Sequence, residues 1–294
     1  MIRDYAQLIR LPAMFTVFSN VIAAHLIAVI YWSGDDVTIN QSGTLLLTIL
    51  ASLCLYHAGM VLNDCYDYDI DHHERPERPL PSGRVARKTA WLIAFTMLLL
   101  GFIFASLISI QTATIAAILV VAIIAYDSGP RQGWRAAINM GLCRYFNWLM
   151  AISAIGLNWE LALMPIPVLC YVTALTRISQ DEVQANSPEI ILKAAGLILA
   201  GSCCWLIWFI FGLFNFHLAL IALAIALTLL ALRFLHVYQD YNPASVKAIV
   251  SALLFGIIPL DALLLLSSGQ IMAAVLLLLL LFPGKLAGRF IYIT

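Results

Sequence analysis

Long apolar runs joined by short polar links make up almost the whole chain. The runs cover 11–32, 43–62, 88–110, 112–126, 136–157, 159–176, 190–213, 215–235, 246–268 and 270–283. A helix needs about 20 apolar residues to cross a bilayer, and runs of this kind follow one another with hardly a pause. The first nine are read as membrane-crossing helices. The tenth is short and ends at Pro283-Gly284, so it is a candidate span only. The pattern predicts an all-α, polytopic membrane bundle, with nothing left over for a separate soluble domain: residues 1–294 form one unit.

Composition agrees. Hydrophobic residues are 63% and charged residues 11% of the 294, and mean hydropathy is +0.94. A soluble domain carries roughly 45–50% apolar and about 25% charged residues. The sixteen basic and sixteen acidic residues cancel, and no basic nucleic-acid surface is present, so nucleic acid is excluded as a partner. Of the six cysteines, Cys54, Cys65, Cys143, Cys170, Cys203 and Cys204, most lie within apolar runs and none forms a C-x-x-C pair. They read as small buried residues. The first run follows basic residues but has no convincing cleavage site, so it reads as a retained helix.

The placement of charge carries more than its amount. The odd-numbered links hold Asp35, Asp36 and Glu160 and no Lys or Arg. With the N-terminus inside, all sixteen basic residues fall on the cytoplasmic side, as the positive-inside rule asks. The expected setting is a bacterial inner membrane. Nearly all the carboxylates share that side, which topology alone does not explain.

The densest group ends the second run: Asn63-Asp64-Cys65-Tyr66-Asp67-Tyr68-Asp69-Ile70-Asp71. If the helix continues, residues 64, 67 and 71 share a face. Carboxylates so placed repel one another unless a cation joins them, and hard oxygen ligands without His or Cys favour Mg²⁺. Mg²⁺ is usually shared with substrate phosphates, so the group predicts a phosphate-bearing ligand as well. Acids at a helix C-terminus oppose the macrodipole, and ionisable groups near membrane depth are functional by default. The next residues, His72-His73-Glu74-Arg75-Pro76-Glu77-Arg78-Pro79-Leu80-Pro81-Ser82-Gly83-Arg84, predict a stiff, extended loop. From it Arg75, Arg78 and Arg84 can fold over the acids and clamp a diphosphate. His72 and His73 read as loop residues.

N-D-x-x-D-x-x-x-D at 63–71 followed by R-P-L-P-S-G at 78–83 resembles the first signature of the UbiA superfamily of intramembrane prenyltransferases. The resemblance extends to the hydrophobic layout. It implies nine transmembrane helices around a central cavity, opening here on the cytoplasmic side. It also implies Mg²⁺-dependent transfer of an isoprenyl group from an allylic prenyl diphosphate to a lipophilic, aromatic or other acceptor, with the tail reaching membrane lipid. Asn63, Asp67 and Asp71 match the family's metal and diphosphate positions, with Asp64 beside them, and Arg78 matches the Arg of the loop. Tyr126 matches a Tyr that the family follows, four residues on, with Lys. Pro130 holds that place here and Arg131 comes next. The family's second signature, D-x-x-x-D after helix 6, corresponds to Thr176-Arg177-Ile178-Ser179-Gln180-Asp181-Glu182-Val183, where two adjacent acids replace the spaced pair. Together with Gly141-Leu142-Cys143-Arg144-Tyr145-Phe146-Asn147, this stretch looks similar to the divergent EboC-like branch.

The resemblance thus implies a catalytic group of Asp67, Asp71, Arg131 and Asp181. It implies Mg²⁺ ligands from Asn63, Asp64, Asp67, Asp71, Asp181 and Glu182, and substrate contacts from Asn63, Arg75, Arg78, Tyr126, Arg144, Asn147 and Arg177. Arg144, inside an apolar run, needs a partner: the diphosphate, the Asp181/Glu182 pair, or the interface by snorkelling. Asp261 lies in mid-helix and is neutral, paired or turned to a cavity. Asn20 faces the cavity or packs helices. Asp240 is a solvated loop acid or an acceptor contact. Two other readings remain: a non-catalytic or transport-related prenyl-lipid-binding protein, and an enzyme that ionises the diphosphate but cyclises or hydrolyses the chain.

Overall fold

The computed structural model describes residues 2–33, 39–183, 185–210, 214 and 217–290. Asp35 and Asp36 lie outside the described residues. Those described form helices, turns and loops with no strand. The helices are α1 (Ile2–Leu8), α2 (Met14–Ser33), α3 (Ile39–Tyr66), α4 (Tyr68–Glu74), α5 (Arg87–Ser106), α6 (Ile110–Asp127), α7 (Trp134–Ser153), α8 (Trp159–Leu163), α9 (Ile166–Ser179), α10 (Glu189–Ile210), α11 (Leu218–Gln239), α12 (Pro243–Ser267), α13 (Ile271–Leu278) and α14 (Leu281–Phe290). A 3₁₀ turn, Leu11–Ala13, precedes α2.

Each apolar run is helical over most of its described residues. Among the described residues, eight stretches are long and apolar enough to cross a membrane. α7 has the length, with 20 residues, but it carries Arg135, Arg144 and Asn147 and is not one of the eight. The run 159–176 splits into α8 and α9 at Pro165, which sits at the N-cap of α9. The run 270–283 becomes α13 and the start of α14. These two double back along α12 until α14 meets the 3₁₀ turn before α2.

Helix ends follow from local chemistry. Ser109, Asn158 and Asn242 cap α6, α8 and α12, each accepting from the backbone N–H three residues on at 3.1, 2.9 and 3.0 Å, and Pro243 begins α12. Packing rests on small residues, because lipid supplies no hydrophobic drive between helices and close backbone approach must do so. α5 turns Ala90, Ala94, Gly101 and Ala105 inward against α3. A Cβ on Gly101 would stand 2.6 Å from Leu55 Cγ, and one on Gly141 of α7 would stand 2.8 Å from the Leu169 carbonyl oxygen of α9. The outward faces of α5 and α11 expose Leu92, Leu99, Ile225 and Leu232, as helices bordering lipid do.

The even-numbered links gather at one end of the bundle. Arg84 pairs with Asp4 at 3.0 Å, Arg10 with Asp64 at 3.3 Å and Arg131 with Asp67 at 2.6 Å. The Gly133 N–H donates to Gln180 Oε1 at 2.8 Å, and Tyr241 donates to Asp181 at 2.5 Å. At the other end Tyr31 meets Glu160 and Asn158, and Trp32 donates to the Gly156 carbonyl at 3.1 Å.

Candidate functional site

A cavity of about 250 Å³ lies within the bundle, walled by α2, α3, α6, α7, α9 and α12. Its wall is largely apolar, with Val17, Leu55, Leu119, Ile123, Val172, Leu254 and Ile257. Polar side chains stand at intervals: Arg10, Asn63, Tyr126, Asp127, Arg144, Asn147, Thr176 and Ser179.

The first acidic group sits at the end of α3. α3 breaks at Asp67, which is the N-cap of α4, yet the backbone continues a helical course: Asp67 N–H reaches the Asn63 carbonyl at 2.9 Å and Asp71 N–H reaches that of Asp67 at 2.8 Å. Asp64 and Asp71 are therefore on one side, and Arg78 joins them, at 2.7 Å to Asp71 and 3.5 Å to Asp64. Arg10 closes the other flank, donating to Asn63 Oδ1 and Asp64 Oδ1 at 3.3 Å each. Its backbone is left-handed, φ +49° and ψ +52°, a conformation that costs a non-glycine residue on the order of 1 kcal/mol. The two bonds hold its guanidinium against the acids in spite of that cost. Arg75 lies 3.9 Å from Asp71.

Arg131, one residue past the place where the resemblance expects Lys, reaches the same group. It ion-pairs with Asp67 and donates to the Tyr66 carbonyl at 2.8 Å. Burial raises the Asp67 carboxyl above the usual range, and Arg131 works against that rise. Asp67 Oδ1 is buried without a hydrogen bond of good geometry.

Several expectations are corrected. The loop after α4 is not extended: Val85 N–H returns to the Pro79 carbonyl at 3.0 Å, Ser82 N–H to that of Arg78 at 3.1 Å, and Leu80 and Val85 are buried. Gly83, at φ +72°, permits the turn. Arg84 does not clamp the acids; it binds Asp4, Ser82 and the Glu77 carbonyl. Arg144 does not reach Asp181 or Glu182. It donates to Asn20 and Thr16 at 2.9 Å each. Asp261 is paired, accepting from Ser19 at 2.5 Å and from Asn20 at 2.7 and 2.8 Å.

Asp181 and Glu182 do not line the cavity. Asp181 accepts from Tyr241 on the α11–α12 link and from Ser187 N–H at 3.2 Å. Burial and this bond both raise the Tyr241 pKa. Arg177 lies over the Trp134 ring at 5.9 Å. Asp240 is exposed and accepts from Asn242 at 2.9 Å. Among the described residues, no three His, Cys, Asp or Glu converge as a ready metal cage, and all six cysteines are free.

Two site residues escape the sequence reading. Arg10 passes for a topology-setting charge, because its partners are 53 and 54 positions away. Asp127 is a buried carboxylate on the cavity wall, which it shares with Asn63. Its signal was available: an acid closing an apolar run directly after Tyr126.

Known proteins resemble this chain in sequence and in fold. The 4-hydroxybenzoate octaprenyltransferase of Blochmanniella pennsylvanica is 29% identical over 182 residues, 58% of this chain and 62% of that protein. The digeranylgeranylglyceryl phosphate synthase of Saccharolobus solfataricus is 29% identical over 185 residues, 61% of each. The chain thus spans about three fifths of the length of these relatives. A solved structure described as giving insight into digeranylgeranylglyceryl phosphate synthase in membranes shares the fold, with TM-score 0.70 and 19% identity over 91% of this chain and 98% of that one. With the acids, arginines and apolar cavity all lying within or beside residues 21–255, the stretch that matches the UbiA prenyltransferase family model, the chain belongs to that family.

Proposed function

We propose that this protein is a Mg²⁺-dependent intramembrane prenyltransferase that moves an isoprenyl group from an allylic diphosphate to a lipophilic acceptor. One observation carries the reading: Asp64, Asp67 and Asp71 pair with the cations Arg10, Arg78 and Arg131 where Arg10 and Asn63 line a largely apolar cavity. The relatives' names, an octaprenyltransferase and a digeranylgeranylglyceryl phosphate synthase, support it. α7 is the ninth span, and the polar end faces the cytoplasm.

The residues present fit Mg²⁺. The donors are hard oxygens, from Asn63, Asp64, Asp67 and Asp71, and among the described residues buried Asp67 Oδ1 meets only the Arg131 guanidinium, at 2.6 Å. Because the carboxylates do not close a cage by themselves, diphosphate oxygens complete the set. Mg²⁺, when bound, neutralises charge on the departing diphosphate. The chain's own residues do the rest. Arg78 and Arg131, with Arg75 and Arg10 beside them, hold the diphosphate and stabilise the charge that grows on it as the C–O bond ionises. Tyr126 lies on the wall beside them. Leu119, Ile123 and Val172 keep water from the allylic cation. The acceptor attacks the cation and loses a proton. Asp181 and Glu182 lie outside this group and take no part in the proposed step, and Arg177, over the Trp134 ring, is not among the residues that line the cavity.

The test is Mg²⁺-dependent pyrophosphate release from geranylgeranyl or farnesyl diphosphate by the purified protein, with Asp67→Asn as control. Release that depends on an acceptor supports transfer. Release without one points to cyclisation or hydrolysis, and neither release nor prenyl diphosphate binding sinks the enzyme reading.

A further inference from the structure

The same cavity holds a second cationic position, set deeper than the first. Arg144 and Asn147 lie one turn apart on α7, and both line the wall. Opposite them, the ring of Tyr56 on α3 lies 5.1 Å from the Arg144 guanidinium. Tyr56 is seven residues before Asn63, about 10 Å further along the helix at 1.5 Å per residue. Arg144 is 8% exposed and Asn147 6%.

Both side chains are held in place. Arg144 donates to Asn20 on α2 and to Thr16, and Asn20 in turn donates to Asp261 on α12. Asp261 is therefore linked to Arg144 through Asn20, and the bonds to Asn20 and Thr16 leave the guanidinium other N–H groups to spare. Asn147 Oδ1 accepts from Ser52 at 2.5 Å, which sets the amide. Its Nδ2 is buried and has no partner. A role confined to joining α2, α7 and α12 accounts for the Arg144 bonds but not for this unmade donor, since a buried donor left unpaired is costly.

A guanidinium and a free amide, one turn apart on a cavity wall, suit two oxygens of one anion. A prenyl tail has no oxygen to offer, and the diphosphate is expected at the Asn63 end. We infer that Arg144 and Asn147 recognise an oxyanion headgroup on the acceptor, either the carboxylate of an aromatic acid or the phosphate of an ether lipid. The inference rests on the prenyltransferase reading and narrows its acceptor class.

The test measures equilibrium binding to the full chain in nanodiscs, with geranylgeranyl diphosphate and Mg²⁺ present. Two matched pairs separate the sources: 4-hydroxybenzoate against its methyl ester, and geranylgeranylglyceryl phosphate against geranylgeranylglycerol. One charged probe should bind at least about tenfold tighter than its neutral partner, a difference of 1.4 kcal/mol. Asn147→Leu should bring that ratio near one, Asn147→Asp should invert it, and geranylgeranyl diphosphate binding should hold. If Arg144→Gln does not fold, the two Asn147 variants still decide. The assignment is overturned if neither charged probe is preferred, if the preference survives both Asn147 variants, or if Asn147→Leu weakens diphosphate binding instead. Wild-type protein that fails to bind geranylgeranyl diphosphate fails the parent reading, and that arm is read separately.

Discussion

Asp67 and Arg78 do different work within one ion-paired group, and substitution separates the two. Asp67 Oδ1 is held by the Arg131 ion pair at 2.6 Å and by no hydrogen bond among the described residues. Under the proposed function Asp67→Asn removes a charge that Mg²⁺ would draw on and keeps the side chain's size, so it should lower pyrophosphate release by about 100-fold or more while the protein stays folded. Arg78 is instead the sole bridge between Asp64 and Asp71 among the ion pairs described. Arg78→Ala leaves buried Asp71 with only the more distant Arg75, at 3.9 Å, and Asp64 with Arg10 alone, and stability should fall by up to about 3 kcal/mol along with activity. Thermal unfolding in detergent, read beside turnover, distinguishes the two variants; equal loss of stability in both would contradict the division. The letters show Asp67, Asp71 and Arg78, because the spacing 63–67–71 and the following loop are local. They do not show Arg10, Asp127 or the Ser19–Asn20–Asp261 bonds, because each depends on helices far apart in sequence.

At the scale of elements, contact between helices fixes where each acid points. Asp181 lies just past the C-terminus of α9, where the resemblance expects the second metal group. Tyr241, from the link before α12, takes its carboxylate instead. Sequence could supply the acids 181 and 182 but not that partner, sixty residues away. Asp181→Asn should therefore keep activity within about tenfold of wild type, and lose on the order of 1 kcal/mol of stability for one weakened hydrogen bond. A loss as deep as that of Asp67→Asn would return Asp181 to the catalytic group. The α7–α9 contact is tighter than any periodicity could reveal. Gly141 has no room for a Cβ against Thr173 and the Leu169 carbonyl, so Gly141→Val should cost about 1–3 kcal/mol by overpacking. It should also disturb the cavity wall that Arg144 and Asn147 share with Val172 and Thr176, and cavity-directed binding should weaken in step with stability.

For the whole molecule, the arrangement of charge ties fold to function. The alternation of acidic and basic links is legible in sequence, and the structure brings the links that hold Arg10, Arg75, Arg78, Arg84 and Arg131 to one end. Under the proposed function, membrane orientation and substrate binding draw on the same cations: those that would hold a link on the cytoplasmic side also pair with the acids proposed to bind diphosphate. A topology probe tests this directly. Cysteines introduced at Ser82, in the loop after α4, and at Ser128, after α6, should react with a membrane-impermeant maleimide only from the cytoplasmic side. One at Trp159, exposed at the other end, should react only from outside. Labelling of 82 and 128 from opposite sides would break the single polar end. Labelling of both from outside would keep that end but reverse its orientation, and a diphosphate made in the cytoplasm could not then enter by the mouth that the acids and arginines form.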